Sequence, residues 1–260
     1  MKRKLESEHV HRVSAAALRG RLCALARPED ARILAWFFKT GPGEYGEGDR
    51  FIGVRVPALR RLAAEADGAS ERAVLALLRS RVHEERLLAL IILVRRFARG
   101  GAADRARIHG LYLAHARWIN NWDLVDLSAP QIVGDWLTNR DRSLLDRLAT
   151  SPSLWERRIA IVATLALIRA GDYADTLRVA DALLSDREDL IHKATGWMLR
   201  EVAKRDRATV EAFLIPRCRT MPRTMLRYAI ERFPEPLRQA YLSGAVAGAG
   251  RIERRARSVS

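Results

Sequence analysis

The sequence predicts an all-α protein, an α-solenoid of antiparallel helix pairs with a basic concave face. Three observations carry that expectation. Helical periodicity dominates the chain, convincing strands are absent, and similar helix openings recur at a spacing in the middle thirties. At 260 residues the chain can bury a substantial core, as one large domain or a repeat array.

The expected helices lie near 13–26, 29–40, 57–66, 70–80, 84–98, 104–117 and 121–128 in the first half. In the second half they lie near 130–138, 142–149, 153–169, 173–184, 188–204, 207–219 and 222–233. Gly41-Pro42-Gly43, Gly100-Gly101, Ser151-Pro152, Gly171 and Pro222 punctuate them. Phe51 to Val56 is the one β-like run, and Pro57 directly after it marks an extended link into a helix. The stretch Gly41 to Asp49 is glycine-rich but lacks the Gly-Lys-Ser/Thr ending of a phosphate loop, and its acids lack EF-hand order. It reads as an ordinary, mobile loop. A flexible segment over 1–12, a single repeat domain over 13–243 and a flexible basic tail over 244–260 complete the expected organisation.

The repeat is carried by basic residues that open helices before small or apolar ones: Arg86, Arg158, Lys193 and Arg227. Arg158 and Lys193 are 35 residues apart, and Lys193 and Arg227 are 34 apart. Paired helices at that period are the mark of an α-solenoid, whose elongated face suits a long ligand.

The charge balance specifies the ligand class. Lys and Arg number 46 against 31 Asp and Glu, giving +15 and a pI near 10.9. Arg251, Arg254, Arg255 and Arg257 against Glu253 contribute +3 of this, so the body itself keeps +12. Such an excess favours a polyanion, because neutralising phosphates releases condensed counterions. Other classes are disfavoured. Cys23 and Cys218 make neither a disulfide framework nor a zinc site, and the six histidines have no metal spacing, so no metal is expected. Nucleophile-elbow and dinucleotide motifs are missing. The longest apolar run, Leu87 to Val94, is too short to span a membrane, and the basic N-terminal residues precede no apolar core. A soluble cytoplasmic protein is the expectation.

Four residues are candidates for chemistry. Trp197 points away from the apolar face formed by Leu190, Ile191, Ala194, Met198 and Val202, and clusters with Lys193, Arg200 and Lys204. That position suits a nucleic-acid contact better than core packing. Trp122 and Asp126 share a helix face, with Asn120 and Asn121 as natural N-caps before them. Asp126 could be a local hydrogen-bond partner. An aromatic plate beside a carboxylate also suits a developing cation. Arg158 lies in a helix apolar almost all round, so its guanidinium needs a carboxylate or a phosphate, and the sequence leaves both open.

Trp122-Asp123-Leu124-Val125-Asp126, Trp155-x-x-Arg158, Lys193-Ala-Thr-Gly-Trp197-Met-Leu-Arg200 and Gly53-x-x-x-Pro57-x-x-Arg60 together resemble the DNA alkylation repair family, the AlkD-like glycosylases. The resemblance runs from about Ala31 to Phe233. It implies HEAT-like repeats that cup duplex DNA and hydrolyse the N-glycosidic bond of cationic N3- and N7-alkylpurines, as a monomer and without a cofactor. By position, Asp126 would be the catalytic carboxylate, Trp122 and Trp197 would stack on the sugar and backbone, and Arg158 would hold phosphate. Phe37 falls near a family aromatic that approaches the lesion. Arg157, Lys193, Arg200 and Arg227 would complete the DNA-binding set, and a nucleoid-associated place in a bacterial cell is implied. The competing class is a non-catalytic HEAT-like scaffold that binds DNA or protein through the same face.

Overall fold

The computed structural model describes residues 13–246. Most of the tail expected to be flexible, and the 1–12 segment, therefore lie outside the described residues. Fifteen α-helical segments follow one another among the described residues. The first seven are α1 Ala15–Ala24, α2 Pro28–Phe37, α3 Val56–Glu65, α4 Glu71–Leu78, α5 His83–Arg99, α6 Ala102–Ala114 and α7 Trp122–Ala129. The remainder are α8 Asp135–Leu137, α9 Ser143–Ala149, α10 Leu154–Arg169, α11 Ala174–Ala182, α12 Asp189–Ala203, α13 Arg207–Leu214, α14 Arg223–Ala229 and α15 Glu235–Ser243. The only strand-like pairing among the described residues is one isolated bridge between Arg50 and Val82. The chain divides into two compact units, meeting after Ser128.

In the first unit, α3 and α4 both pack on α5, and α1 packs on α4. α5 is buried over most of its length, from His83 to Leu93 and again at Phe97. Burial on all sides is what its apolar run Leu87 to Leu93 requires. Its first turn is unusual, because His83, Glu84, Glu85 and Arg86 are all buried as well. Buried charges must be paired, and here they hold the preceding loop. Glu84 accepts the backbone N–H groups of Ile52, Gly53 and Val54 at 2.8–3.3 Å. That explains why the β-like run is extended yet no sheet strand: a carboxylate stands in for a neighbouring strand. Gly53 has φ of 83°, and a Cβ there would lie 2.0 Å from the Arg27 carbonyl oxygen. Only glycine fits.

In the second unit, alternate helices stack. α10 packs on α12 and α12 on α14, while α9, α11 and α13 pack on the same two helices from their flanks. This two-layer arrangement is the repeat read from the sequence, with Arg158, Lys193 and Arg227 falling on α10, α12 and α14 in turn. The motif Ala194-Thr195-Gly196 supplies the close contact. A Cβ on Gly196 would lie 2.5 Å from both the Met225 carbonyl oxygen and the Tyr228 Cβ, so α14 approaches α12 directly over the missing side chain.

Four sequence expectations change. The loop at 41–50 is built rather than loose: Glu44 and Glu47 accept the N–H groups of Gly41 and Gly43 at 2.9 Å, and the Gly46 N–H donates to the Lys39 carbonyl. The helix expected over 207–219 stops at Leu214, because Pro216 has no N–H to donate to the carbonyl four residues back. The helix expected over 130–138 is instead a π-helical turn, Pro130–Gly134, before α8; Pro130 has no N–H for the carbonyl four residues back. α15 was not expected at all. Its burial of Tyr241 against Phe233, with ring centroids 5.8 Å apart, outweighs weak local periodicity.

Two helix-interior glycines test the close approach. Gly20 in α1 faces open space, so Gly20→Ala should stabilise the protein by about 1 kcal/mol through helix propensity. Gly196→Ala should destabilise it by roughly 1–3 kcal/mol, because steric overlap with α14 exceeds the same propensity gain. Urea unfolding midpoints of the two variants should move in opposite directions.

Candidate active site

The first unit gathers aromatic rings around the start of α7. Phe38 stacks on Phe51 at 5.1 Å and on Trp122 at 5.1 Å, with interplanar angles of 14° and 22°. Phe37 meets Phe38 edge-on at 5.1 Å and lies 6.0 Å from Trp122. Phe37 is 52% exposed, so one face of the cluster is open to a ligand.

Behind the rings lies a buried polar chain that the sequence did not reveal. Asp49, the last residue of the glycine-rich loop, accepts from Arg86 Nη2 at 2.7 Å. Its other oxygen lies 3.1 Å from His83 Nδ1 and accepts from Asn121 Nδ2 at 3.4 Å. His83 Nε2 reaches Asp123 at 2.8 Å, and Asn121 Oδ1 accepts the Trp122 backbone N–H at 2.8 Å. The Asn121 carbonyl also takes the first helical N–H, from Val125, so Asn121 is the N-cap of α7. The chain Asp49–Asn121–Trp122 thus fixes the residue that opens the helix. A signal was present in the sequence, since Arg86 opens a repeat helix, but nothing in the pattern linked it to Asp49.

Burial opposes charge on the His83 ring, yet the Asp123 carboxylate and the hydrogen bonds to Asp123 and Asp49 outweigh it and hold its pKa above the ordinary 6.5. Burial likewise opposes ionisation of Asp49, but the hydrogen bond from His83 and the charge of Arg86 outweigh it and hold its pKa below 3.8. A protonated His83 donates from both ring nitrogens to two carboxylates.

Asp126 is half-exposed on α7, one turn after Trp122. Its negative charge joins burial in pushing the Tyr112 phenol above its usual range, and the Tyr112 hydroxyl lies 3.0 Å from Ser128 Oγ. Trp122, Asp126 and Phe37 therefore belong to the first unit.

The second unit holds the others. Arg158 is buried at 5% exposure, and its Nη1 donates to the Leu190 carbonyl at 2.6 Å, tying α10 to the first turn of α12. Trp197 is half-buried and donates its indole N–H to Glu201 at 3.2 Å. The cations around it are paired with acids: Lys193 with Asp189 at 2.7 Å, Lys204 with Glu201 at 2.6 Å, and Arg200 with Glu231. Glu201 and Asp189 had no part in the sequence reading, which counted only the cations on that face. Arg157 is a brace, bonded to Asp186 at 2.6 Å and to the Ser151 and Pro152 carbonyls at 3.0 Å. Arg227 is exposed on α14.

The family model described as DNA alkylation repair enzyme matches residues 18–233. The chain belongs to the DNA alkylation repair family. A solved structure titled a predicted DNA alkylation repair enzyme, from Enterococcus faecalis, has the same fold with a TM-score of 0.63. It is 16% identical over 81% of this chain and 97% of its own. No curated protein matches the chain in sequence. Among the described residues, no helix of this family member is long and apolar enough to cross a membrane.

The His83 chain makes stability pH-dependent with a definite sign. A raised His83 pKa gives a contribution complete below 6.5 and lost as pH rises through the folded value. The lowered Asp49 pKa gives one complete above 3.8 and lost as pH falls through its folded value. Urea midpoints of the wild type should therefore decline as pH rises above 6.5. His83→Gln should be less stable at pH 6 and lack that alkaline decline.

Proposed function

We propose that this protein is a monofunctional DNA glycosylase that removes cationic N3- or N7-alkylated purines from duplex DNA. The observation that carries the reading is the Trp122–Asp126 pair, an aromatic plate and a half-exposed carboxylate on one face of α7, within a chain of the DNA alkylation repair family.

Alkylation at N3 or N7 gives the purine a formal positive charge. When the C1′–N bond breaks, its electron pair stays with the base, which leaves neutral. The sugar becomes oxocarbenium-like, as in glycoside hydrolysis. Asp126 stabilises that cation electrostatically and takes a proton from the water that adds at C1′, and the proton passes to solvent. A neutral leaving base needs no general acid, so the chemistry calls for no cofactor. Trp122 and Trp197 present electron-rich faces to the sugar cation and its backbone. Arg158 is proposed to hold a phosphate, for which the planar guanidinium fork is suited.

DNA affinity is proposed to come from Lys193, Arg200 and Arg227 on successive layer helices, with Phe37 and Arg157 at the margins. The acid partner of Lys193 does not oppose this. An exposed ion pair is worth about 0–1 kcal/mol, so a phosphate can replace Asp189 beside Lys193. The protein is expected to act as a monomer in the cytoplasm, at the nucleoid.

Affinity should fall steeply with salt. The double variant Lys193→Ala/Arg200→Ala should bind more weakly, with a slope reduced by about one to two. An unchanged slope would move the binding face elsewhere. Asp126→Asn keeps shape but removes the charge, and should slow single-turnover excision by about a hundredfold or more while leaving DNA binding intact. Equal excision by wild type and Asp126→Asn would instead favour a non-catalytic DNA-binding scaffold.

A further inference from the structure

Four charged groups meet inside the first unit, and the glycosylase reading gives none of them a part in the reaction: Asp49, His83, Arg86 and Asp123. His83 joins the others. From the 41–50 loop Asp49 faces its Nδ1 at 3.1 Å, and from α7 Asp123 faces its Nε2 at 2.8 Å. On its own helix, Arg86 lies 3.5 Å from Nδ1 and is committed to Asp49. The other charges nearby are engaged elsewhere. Glu84 is bonded to the backbone N–H groups of 52–54, and Asp30 and Arg55, on the wall of the neighbouring cavity, are bonded to each other. Uncharged rings cover the imidazole, Phe51 at 4.5 Å and 23° and Phe38 at 5.1 Å and 34°.

Carboxylates accept hydrogen bonds and cannot donate them. Only an imidazolium, with an N–H on each nitrogen, satisfies both, and the four groups then balance as two acids and two cations. The side chains of His83 and Asp49 are 2% and 4% exposed, so bulk water cannot stand in for a missing partner. Loss of the proton aims a ring lone pair at a carboxylate and leaves the buried set with net negative charge. One contact must then open. Asp49 is held by Arg86 and Asn121 as well as by His83. Among the described residues, Asp123 has besides His83 only the Leu124 N–H, accepted on its other oxygen at 2.9 Å. Its side chain is 16% exposed, on the wall of the cavity. The neutral ring therefore keeps its proton on Nδ1 toward Asp49, and Asp123 is the group that turns out to water.

We propose that His83 is a positioning residue for the α7 site, and that loss of its proton frees Asp123 and loosens the first turn of the helix that carries Trp122 and Asp126. The protonated ring ties Asp123 to α5, while Asn121 holds the Trp122 backbone at 2.8 Å and Phe38 stacks on the Trp122 indole at 5.1 Å. Phe38 itself lies against His83, so indole and helix turn are both held from the same imidazole. The carboxylates outweigh burial in raising the His83 pKa, so the tie is complete below 6.5 and lost as pH rises through the folded value. The site thereby acquires an alkaline limit. Its effect on excision rests on the glycosylase reading, whereas the release of α7 does not.

The test uses the full chain with histidine and tryptophan labelled with nitrogen-15. At pH 6 both ring nitrogens of His83, assigned from their loss in His83→Gln, should carry protons. Between about pH 6 and 9.5 the ring should lose one, and the Trp122 indole resonance, assigned with Trp122→Phe, should shift along the same curve. Circular dichroism should stay constant, because only one helical turn is released. Asp123→Asn separates positioning from plain structural support. Its amide puts an NH2 donor opposite Nε2, where a neutral ring accepts it, and its carbonyl oxygen keeps the Leu124 N–H. In this variant the Trp122 resonance should not move at the alkaline end. Single-turnover release of N7-methylguanine from duplex DNA should fall about tenfold or more from the acid to the alkaline end for the wild type, as small misplacements of reacting groups commonly cost. It should not fall in this way for Asp123→Asn. Any titration of the substrate is common to both proteins and cancels in the comparison. A His83 that stays protonated throughout, a Trp122 resonance indifferent to the His83 titration, or the same alkaline fall in Asp123→Asn would overturn the inference, as would loss of helical signal from the whole chain. Failure of the glycosylase reading shows instead as no base release at any pH and leaves the spectroscopic titration unaffected.

Discussion

The Asp49 carboxylate is the point on which the first unit depends. Its two oxygens join the end of the glycine-rich loop to the first turn of α5 through Arg86 and His83, and to the cap of α7 through Asn121. Because Asp49, His83 and Arg86 are all almost fully buried, each charge is tolerated only while the others are present. Removing one partner of such a set strands the rest, at a cost of about 3–5 kcal/mol. The consequence reaches the candidate site directly. Asn121 fixes the backbone of Trp122, and His83 fixes Asp123 one residue later. A loop without regular structure therefore sets the register and orientation of the helix that carries Asp126.

The second unit solves a different problem. Its recurring basic residues sit on helices that lie side by side, and their separation is set by how closely those helices pack. Gly196 lets α12 and α14 approach at the very turn that holds Lys193 and Trp197. Arg158 bonds the backbone at the start of α12, so a buried guanidinium locks two repeats together. The cations beside Trp197 are held in ion pairs with acids one turn away on the same helix.

Much of this was legible in the sequence because a repeat writes itself twice, in periodicity and in spacing. The positions of α10, α12 and α14, the cap of α7 and the outward placement of Trp197 all follow from local pattern. The Asp49–His83–Asp123 chain did not, since it joins residues 34 to 40 positions apart that share no helix. Asp123 lies one residue after Trp122, and its partner, His83, comes from α5. α15 was missed for the same reason: only the buried Tyr241 gives it a place, and that burial is tertiary. Pro130 and Pro216 are local signals that bound their helices more tightly than the apolar pattern around them suggested.

Under the proposed function, a basic helical scaffold presents a carboxylate and aromatic faces to a sugar whose base already carries a positive charge. Incubating the protein with duplex DNA containing N7-methylguanine, and separating the products by chromatography, tests that claim most directly. The expected result is free 7-methylguanine in step with abasic sites, with the strand left uncut. Intact N7-methylguanine in DNA that the protein demonstrably binds would contradict it.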